Sequence, residues 1–281
     1  MKKLIISCDD LGISKEINLG IKDCLDSGVA TSSSIIANAK FYSHALEEVV
    51  AHTPIKFYGL HLNLTEGYAL SDSGNSKICD KNNKFKNSAR KYFLLNLSRL
   101  NKELEECVYV EFKSQIQKVL KDGIKISHFD SHEHIHHSPW IFRIITVLGK
   151  EFSINKIRFV NEKIIIKNYL KNVYNKIKNL NYFKHLIINI CNKKINNPFI
   201  SPDYFFGILN SNTINLDEFF VYLNQLNYAE TVELCIHPGN RSESSKKNEN
   251  RVMEKNLLLS DKFKNFIDNK KISLINFSDI T

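Results

Sequence analysis

Two adjacent carboxylates, Asp9 and Asp10, end the first apolar run, Leu4-Ile5-Ile6-Ser7-Cys8, and the chain reaches a turn residue at Gly12. A short, continuously apolar run with charge only at its end reads as a buried parallel strand whose C-terminal end opens onto a site, where α/β enzymes keep their chemistry. Helix capping is the plain alternative, since Asp is a favoured N-cap and a helix pattern begins near Ser14, yet one cap needs only one Asp. Histidine is the second signal. Five of the ten histidines fall within ten residues (His128, His132, His134, His136 and His137), with Asp130 among them. Imidazole is the commonest metal ligand, so this cluster at a strand end reads as metal chemistry, against the alternative of a solvated His-rich loop. His61 and His237 stand singly at or near strand ends, where each alone would read as a satisfied core histidine. With Asp9 and Asp10 they share one feature: every candidate lies at the C-terminal end of its strand, which in a βα barrel is one face of the protein.

The elements that must position these residues follow from periodicity. Ser14 can cap a helix through Ile17, Ile21, Cys24 and Leu25 that Gly28 ends, and strands read over 32–38 and 57–64 with a helix over 43–52 between them. A longer helix over 103–121 stops at Gly123 and precedes a strand at 124–130, and Ser138-Pro139 occupies the N-cap and N1 positions of another helix. Strands near 156–160, 231–237 and 271–277, with a helix over 216–226, bring the count to about seven strands alternating with helices. This is an α/β chain with a closed or nearly closed parallel sheet. Two stretches break the rhythm, a loop insertion at 68–102 and a basic helical insertion at 165–215 that includes a turn at Phe205-Phe206-Gly207, and both are expected over one end of the barrel. No internal repeat is visible.

With 281 residues, 43% of them hydrophobic, the chain can bury a barrel-sized core, and one domain over 1–281 is expected. It shows no membrane-spanning apolar run and no secretory signal, so a cytoplasmic location is expected. The six cysteines, at 8, 24, 79, 107, 191 and 235, form no CxxC pair and read as buried thiols rather than a zinc ribbon or disulfide framework. The net charge of +9 is regional: residues 1–80 carry seven lysines against ten acids, whereas 151–200 carry nine lysines and Arg158 against Glu151 and Glu162. In that region Ile166, Leu170, Val173, Ile177 and Leu180 recur at helical spacing, with Lys167, Lys171, Lys176 and Lys178 between them. The pattern predicts a basic amphipathic helix that either packs on the core or contacts an anionic surface.

The ordered segments Cys8-Asp9-Asp10-Leu11-Gly12-Ile13-Ser14, Gly28-Val29-Ala30-Thr31-Ser32-Ser33-Ser34, Gly59-Leu60-His61-Leu62-Asn63-Leu64-Thr65-Glu66-Gly67, His128-Phe129-Asp130-Ser131-His132-Glu133-His134-Ile135-His136 and Cys235-Ile236-His237-Pro238-Gly239 resemble the YdjC-like carbohydrate deacetylases. This family includes chitooligosaccharide deacetylases and the deacetylase of hopanoid biosynthesis. The segments span residues 4–239; each is weak alone, and the ordered set is specific. Pro202-Asp203-Tyr204-Phe205-Phe206-Gly207 is closer to the hopanoid-type branch, and the departures are Leu11, where Phe is usual, and Glu133 inside the histidine run. The resemblance implies a distorted (β/α) barrel related to polysaccharide deacetylases, with one divalent metal held by Asp10, His61 and His132. It also implies Asp9 as general base and His237 as general acid. Because alternation along a strand points Asp9 away from its neighbour, the turn at Gly12 is expected to bring it round. Asp130, His134 and His136 are expected to orient the ligand imidazoles or touch sugar hydroxyls, and Arg158 to face the substrate or support the site. The ligand set suits zinc, whereas the family is usually described with magnesium.

The function so implied is removal of an N-acetyl group from an amino sugar by metal-activated water. The partner expectations are an N-acetylated amino sugar, no nucleic acid, a peripheral contact of 165–195 with the inner face of an anionic membrane, and a homodimer. Two other classes stay open. A non-catalytic polyanion-binding protein would account for the charge but leaves the acidic, His-rich strand ends without a role. A non-haem iron oxygenase shares the ligand types, on what is usually a different scaffold.

Overall fold

The computed structural model describes residues 2–71, 76–97, 101–164, 180–211, 213–227, 230–241 and 249–281. The core of the fold is a sheet of seven parallel-paired strands in the order β4-β3-β2-β1-β6-β5, with β7 beside β1. The strands are β1 (Lys3–Leu11), β2 (Ser32–Ile35), β3 (Phe57–Leu62), β4 (Lys125–Ser131), β5 (Tyr204–Phe206), β6 (Thr231–Ile236) and β7 (Ser273–Leu274). Apart from its first residue, β1 is buried along its whole length, as a central strand covered on both faces must be. Beyond β4 the extended residues 156–161 carry the sheet round: Arg158 N–H donates to Phe129 O at 2.9 Å, Ile157 N–H to Ile200 O at 3.1 Å, and Phe205 N–H to Asn161 O at 3.2 Å. These bonds link the β4 edge toward the β5 edge through isolated bridges, which gives the distorted, incompletely laddered closure.

Helices connect the strands, as right-handed parallel crossovers require. In chain order they are α1 (Lys15–Asp26), α2 (Tyr42–Ala45, running into a π turn at Leu46–Val50), α3 (Ala89–Leu94), α4 (Lys102–Lys121), α5 (Pro139–Glu151), α6 (Asn181–Asn192), α7 (Leu216–Asn224), α8 (Glu249–Leu259) and α9 (Asp261–Asn269). Ser14 caps α1 through a bond from Ile17 N–H, and Pro139 opens α5 at its first turn. The apolar stripes of α1, α4, α5 and α7 join the strands in one contiguous buried cluster. The expected elements are recovered with three differences, the first being that the strand expected over 271–277 is reduced to Ser273–Leu274 and ends in a turn at Phe277–Asp279. Residues 156–160 pair only through isolated bridges, and the stretch expected to turn at Phe205-Phe206-Gly207 instead supplies β5 before Gly207. Short apolar segments lack the length for period to distinguish strand from turn.

The 68–102 stretch is tied down by a buried acid: Glu111 of α4 accepts from the backbone N–H groups of Leu70 and Ser71. Most of the predicted basic helix, including Lys167, Lys171, Lys176 and Lys178, lies outside the described residues. No helix among the described residues is long and apolar enough to cross a membrane.

One contact fixes the loop after β6. A Cβ on Gly20 of α1 would lie 2.4 Å from Gly239 Cα, so only glycine lets α1 approach the loop that carries His237. Asn240 N–H donates to Glu16 O at 2.9 Å beside it. Gly20→Ala must therefore move backbone against backbone. Thermal unfolding is expected to show a loss of about 1–3 kcal/mol, the scale of overpacking, and an unchanged melting temperature would show that the loop gives way freely.

Candidate active site

The C-terminal ends of β1, β3, β4 and β6 converge on a cavity lined by Asp9, Asp10, His61, Ser131, His132, Glu133, His134, Lys184, Ser211, His237 and Arg251. Both β1 carboxylates reach it because the strand is irregular. The pairing register slips between Cys8 and Leu11, and Asp10 adopts a left-handed φ of 73°. The turn at Gly12 is thus not what brings Asp9 round; the bulge at Asp9-Asp10 breaks the alternation. A second backbone device follows β4, where Glu133 and His134 have φ of 56° and 58° within the turn His132–His137. These non-glycine left-handed residues hold strained backbone at the site, as ligand-binding segments often do.

Asp10 Oδ1 stands 3.0 Å from His132 Nδ1 and 3.7 Å from His61 Nε2, while Arg251 of α8 donates to Oδ2. The opposite nitrogen of each imidazole has a carboxylate partner: His61 Nδ1 lies 2.9 Å from Asp130, and His132 Nε2 3.3 Å from Glu66. Burial pushes the Asp10 carboxyl up, but His132 and Arg251 reverse this and hold it well below the usual carboxylate range. In return, burial lowers His132 while Asp10 and Glu66 raise it to about 10, and Asp130 and Asp9 raise His61 against the same penalty. Three ligand-type atoms therefore converge on one another, a carboxylate oxygen and two imidazole nitrogens. They fit a divalent cation that leaves coordination positions open, and its arrival would displace the proton that Asp10 and Glu66 favour on His132. Asp9-His61-Asp130 and Asp9-Cys235-His237 also cluster closely, but Arg158 already occupies Asp9 and Asp130.

Asp9 is in a different environment. Arg158, fully buried, donates Nη1 to Asp9 Oδ2 at 2.5 Å and Nη2 to Oδ1 at 2.7 Å, a bidentate pair, and Cys235 Sγ–H donates to Oδ2 at 3.1 Å. The same guanidinium lies 3.0 Å from Asp130 and 2.7 Å from Glu233. Burial opposes ionisation of Asp9; Arg158, assisted by His61, outweighs it and lowers its pKa. Glu233, with Oε2 buried and unpartnered among the described residues, is pushed by burial up to about 7 despite Arg158. Arg158 thus sits behind Asp9 rather than on the cavity wall. His136 is likewise internal, with Nδ1 2.6 Å from Ser131 Oγ and Nε2 3.2 Å from Arg158 O. Asp130 orients His61, and of the remaining cluster His134 alone accompanies His132 at the cavity.

His237 is held through its backbone, its N–H donating to Glu254 Oε2 at 2.7 Å. Its Nδ1 is buried without a hydrogen-bond partner among the described residues and lies 3.8 Å from the same oxygen. Burial lowers His237 to about 4 and raises Glu254 to about 7. Arg251, Glu254, Glu233, Glu66 and Lys184 were not picked out from the sequence. Glu233 had a signal, an acid inside the apolar run Val232-Glu233-Leu234, whereas Arg251 and Glu254 look like any charged helix face.

The YdjC-like protein family model matches residues 3–269. The chain belongs to the YdjC-like family. Among its relatives are a carbohydrate deacetylase of Clostridium beijerinckii, 29% identical over 282 residues that cover 99% of this chain and 100% of the relative, and one of Brevibacillus brevis, 26% identical with 99% of each covered. A solved structure titled a putative cellobiose-phosphate cleavage protein, from Enterococcus faecalis, superimposes with a TM-score of 0.74 over 98% of this chain and 97% of that one; at 21% identity the likeness is one of fold.

Among the histidines outside the cavity of this YdjC-like chain, His128 serves packing. His128 stacks on Phe277 with centroids 3.4 Å apart, and burial lowers its pKa to about 3. The unfolded chain takes up a proton below about pH 6.5 that buried His128 refuses, so its contribution is full above that pH and is lost as pH falls. Replacing His128 by Phe is expected to remove about 2 kcal/mol of the stability loss between pH 6.5 and 5, measured by denaturant unfolding at both values. Equal pH dependence in the two proteins would contradict the assignment.

Proposed function

We propose that the chain is a metal-dependent carbohydrate N-deacetylase that hydrolyses the acetamide of an amino sugar. The observation that carries this reading is the meeting of Asp10, His61 and His132 beside an Arg-tethered carboxylate and a carboxylate-backed histidine. Full-length similarity to proteins named carbohydrate deacetylase supports the substrate class. Held by those three residues, a divalent cation would polarise the amide carbonyl and favour ionisation of water. The identity of that cation turns on softness: two imidazoles suit zinc, and the carboxylate-rich surroundings also admit magnesium.

Asp9 takes the proton of the attacking water. Its tether to Arg158 keeps it ionised and fixes its direction, while the Asp10 charge is already committed to the imidazoles and Arg251. The same residue type at adjacent positions therefore does two jobs because the partners differ. His237 gives a proton to the leaving nitrogen, without which an amine cannot depart from the tetrahedral centre. With the lower affinity on His237 and the higher on Glu254, a proton held by the pair rests on Glu254, whose carboxyl burial pushes up to about 7, and is passed through the imidazole.

Acetate release from a panel of N-acetylated sugars tests the activity. Asp9→Asn is expected to lower turnover by about two to four orders of magnitude, the scale of lost acid–base assistance, and near wild-type turnover would exclude Asp9 as the base. The pH profile tests the other arm. Since Glu254 must hold a proton, activity should fall as pH rises through about 7, and Glu254→Gln, which cannot ionise, should lose that alkaline limb at reduced rate. An unchanged limb in Glu254→Gln would place the proton elsewhere.

A further inference from the structure

Lys184 is a cation facing the cavity that the proposed chemistry does not use. It belongs to α6, half-buried, and lines the cavity with Ser211 and His134. Among the described residues its side chain has neither an ion pair nor a hydrogen bond. Asp9 is taken by Arg158 and Asp10 by His132 and Arg251, and Glu133, on the same cavity, stands beyond ion-pair distance. Burial lowers its pKa against the attraction of Glu133, Asp10 and Asp9, so the ammonium stands in a poorly solvated position with no carboxylate in ion-pair contact among the described residues.

The wall around Lys184 is rigidly built. Asn181, one turn earlier on α6, donates to Ser211 O at 3.1 Å, and Asn192 at the helix end lies 2.6 Å from His137 Nδ1 and donates to Val160 O at 2.8 Å. His185 Nε2 lies 2.9 Å from Glu162 O, and the Glu162 carboxylate accepts from the N–H groups of Ile208 and Leu209 at 2.8 and 3.1 Å. Helix and loop are thus tied to the same residue. His134 presents a buried Nδ1 with no partner among the described residues. An ammonium, a hydroxyl and an unmatched imidazole nitrogen on one fixed wall suit an acceptor group, and an anion would also give the ammonium the contact ion pair it lacks.

We propose that Lys184, with Ser211 and His134, forms an anion subsite of the cavity that receives a phosphate ester or carboxylate carried by the amino sugar. The sugar part of this assignment rests on the deacetylase reading; the anion part rests on the wall itself. Such a subsite selects charged substrates through binding and orients the acetamide toward Asp9 and His237.

Free amino sugars test this without turnover, because they lack the acetyl group. Calorimetric titration compares glucosamine, glucosamine 6-phosphate and muramic acid on the intact chain and on Lys184→Met and Lys184→Arg. At least one anionic probe is expected to bind the wild type about tenfold or more tighter than glucosamine, the scale of one charge-assisted bond. Preference for the 6-phosphate identifies a phosphate ester as the ligand, and preference for muramic acid a carboxylate. That preference should shrink to about threefold or less in Lys184→Met and persist in Lys184→Arg. Equal wild-type affinities, or a preference that survives Lys184→Met, would overturn the subsite; should Lys184→Met fail to fold, Lys184→Gln and the wild-type comparison decide. Acetate release is read separately, so anion preference without acetate release would overturn the deacetylase reading and leave the subsite standing.

Discussion

Burial of Arg158 among three carboxylates is the constraint on which the rest of the site depends. Asp9 comes from β1, Asp130 from β4 and Glu233 from β6, and none of the four residues is more than 1% exposed. Removing that many ionisable groups from water costs several kcal/mol apiece unless each is paired. One guanidinium, with donors fanned in a plane, can meet all three at once, which a lysine could not. Three strands are thereby pinned at fixed separation. The remaining negative charge is relieved at Glu233, whose carboxyl is driven up to about 7, and at His61, which leans on Asp130 and is raised. The arrangement thus reaches His61, a proposed metal ligand, through Asp130 and the proposed base, Asp9, directly.

Much of this was legible in the residues. The apolar run before Asp9 reads as a buried strand, and His61, Asp130 and His237 read at or near the ends of their own strands. What could not be read was direction. Asp9 and Asp10 both face the cavity because of a register slip and one left-handed residue, and period-two alternation assigns one of them to the wrong side. The five clustered histidines are alike in sequence, yet only His132 and His134 line the cavity, a division made by backbone at Glu133 and His134 that no propensity reveals. Arg251 and Glu254 were invisible for another reason. They sit three apart on α8, a helix tied to the loop after β6 by the bonds Gly239 N–H to Arg251 O and His237 N–H to Glu254 Oε2, which no local pattern announces.

Charge balance separates the two proposed halves of the reaction. On one side, the Asp10 carboxylate meets the raised imidazoles of His61 and His132 where a cation would sit; on the other, His237 and Glu254 divide a proton between a depressed imidazole and an elevated carboxyl. Asp9 lies between them with its charge fixed by Arg158. The directions of these shifts all trace to burial opposed by a named neighbour, so the site is held together by pairings rather than by solvent.

The central claim is that Asp10, His61 and His132 form one metal centre on which activity depends. Elemental analysis of the purified chain and of His132→Ala, alongside acetate release by each, tests it most directly. The account predicts about one divalent ion per chain, with metal and activity lost together in His132→Ala, because two protein ligands seldom hold such an ion tightly. Full metal content in His132→Ala, or full acetate release from metal-free protein, would contradict it.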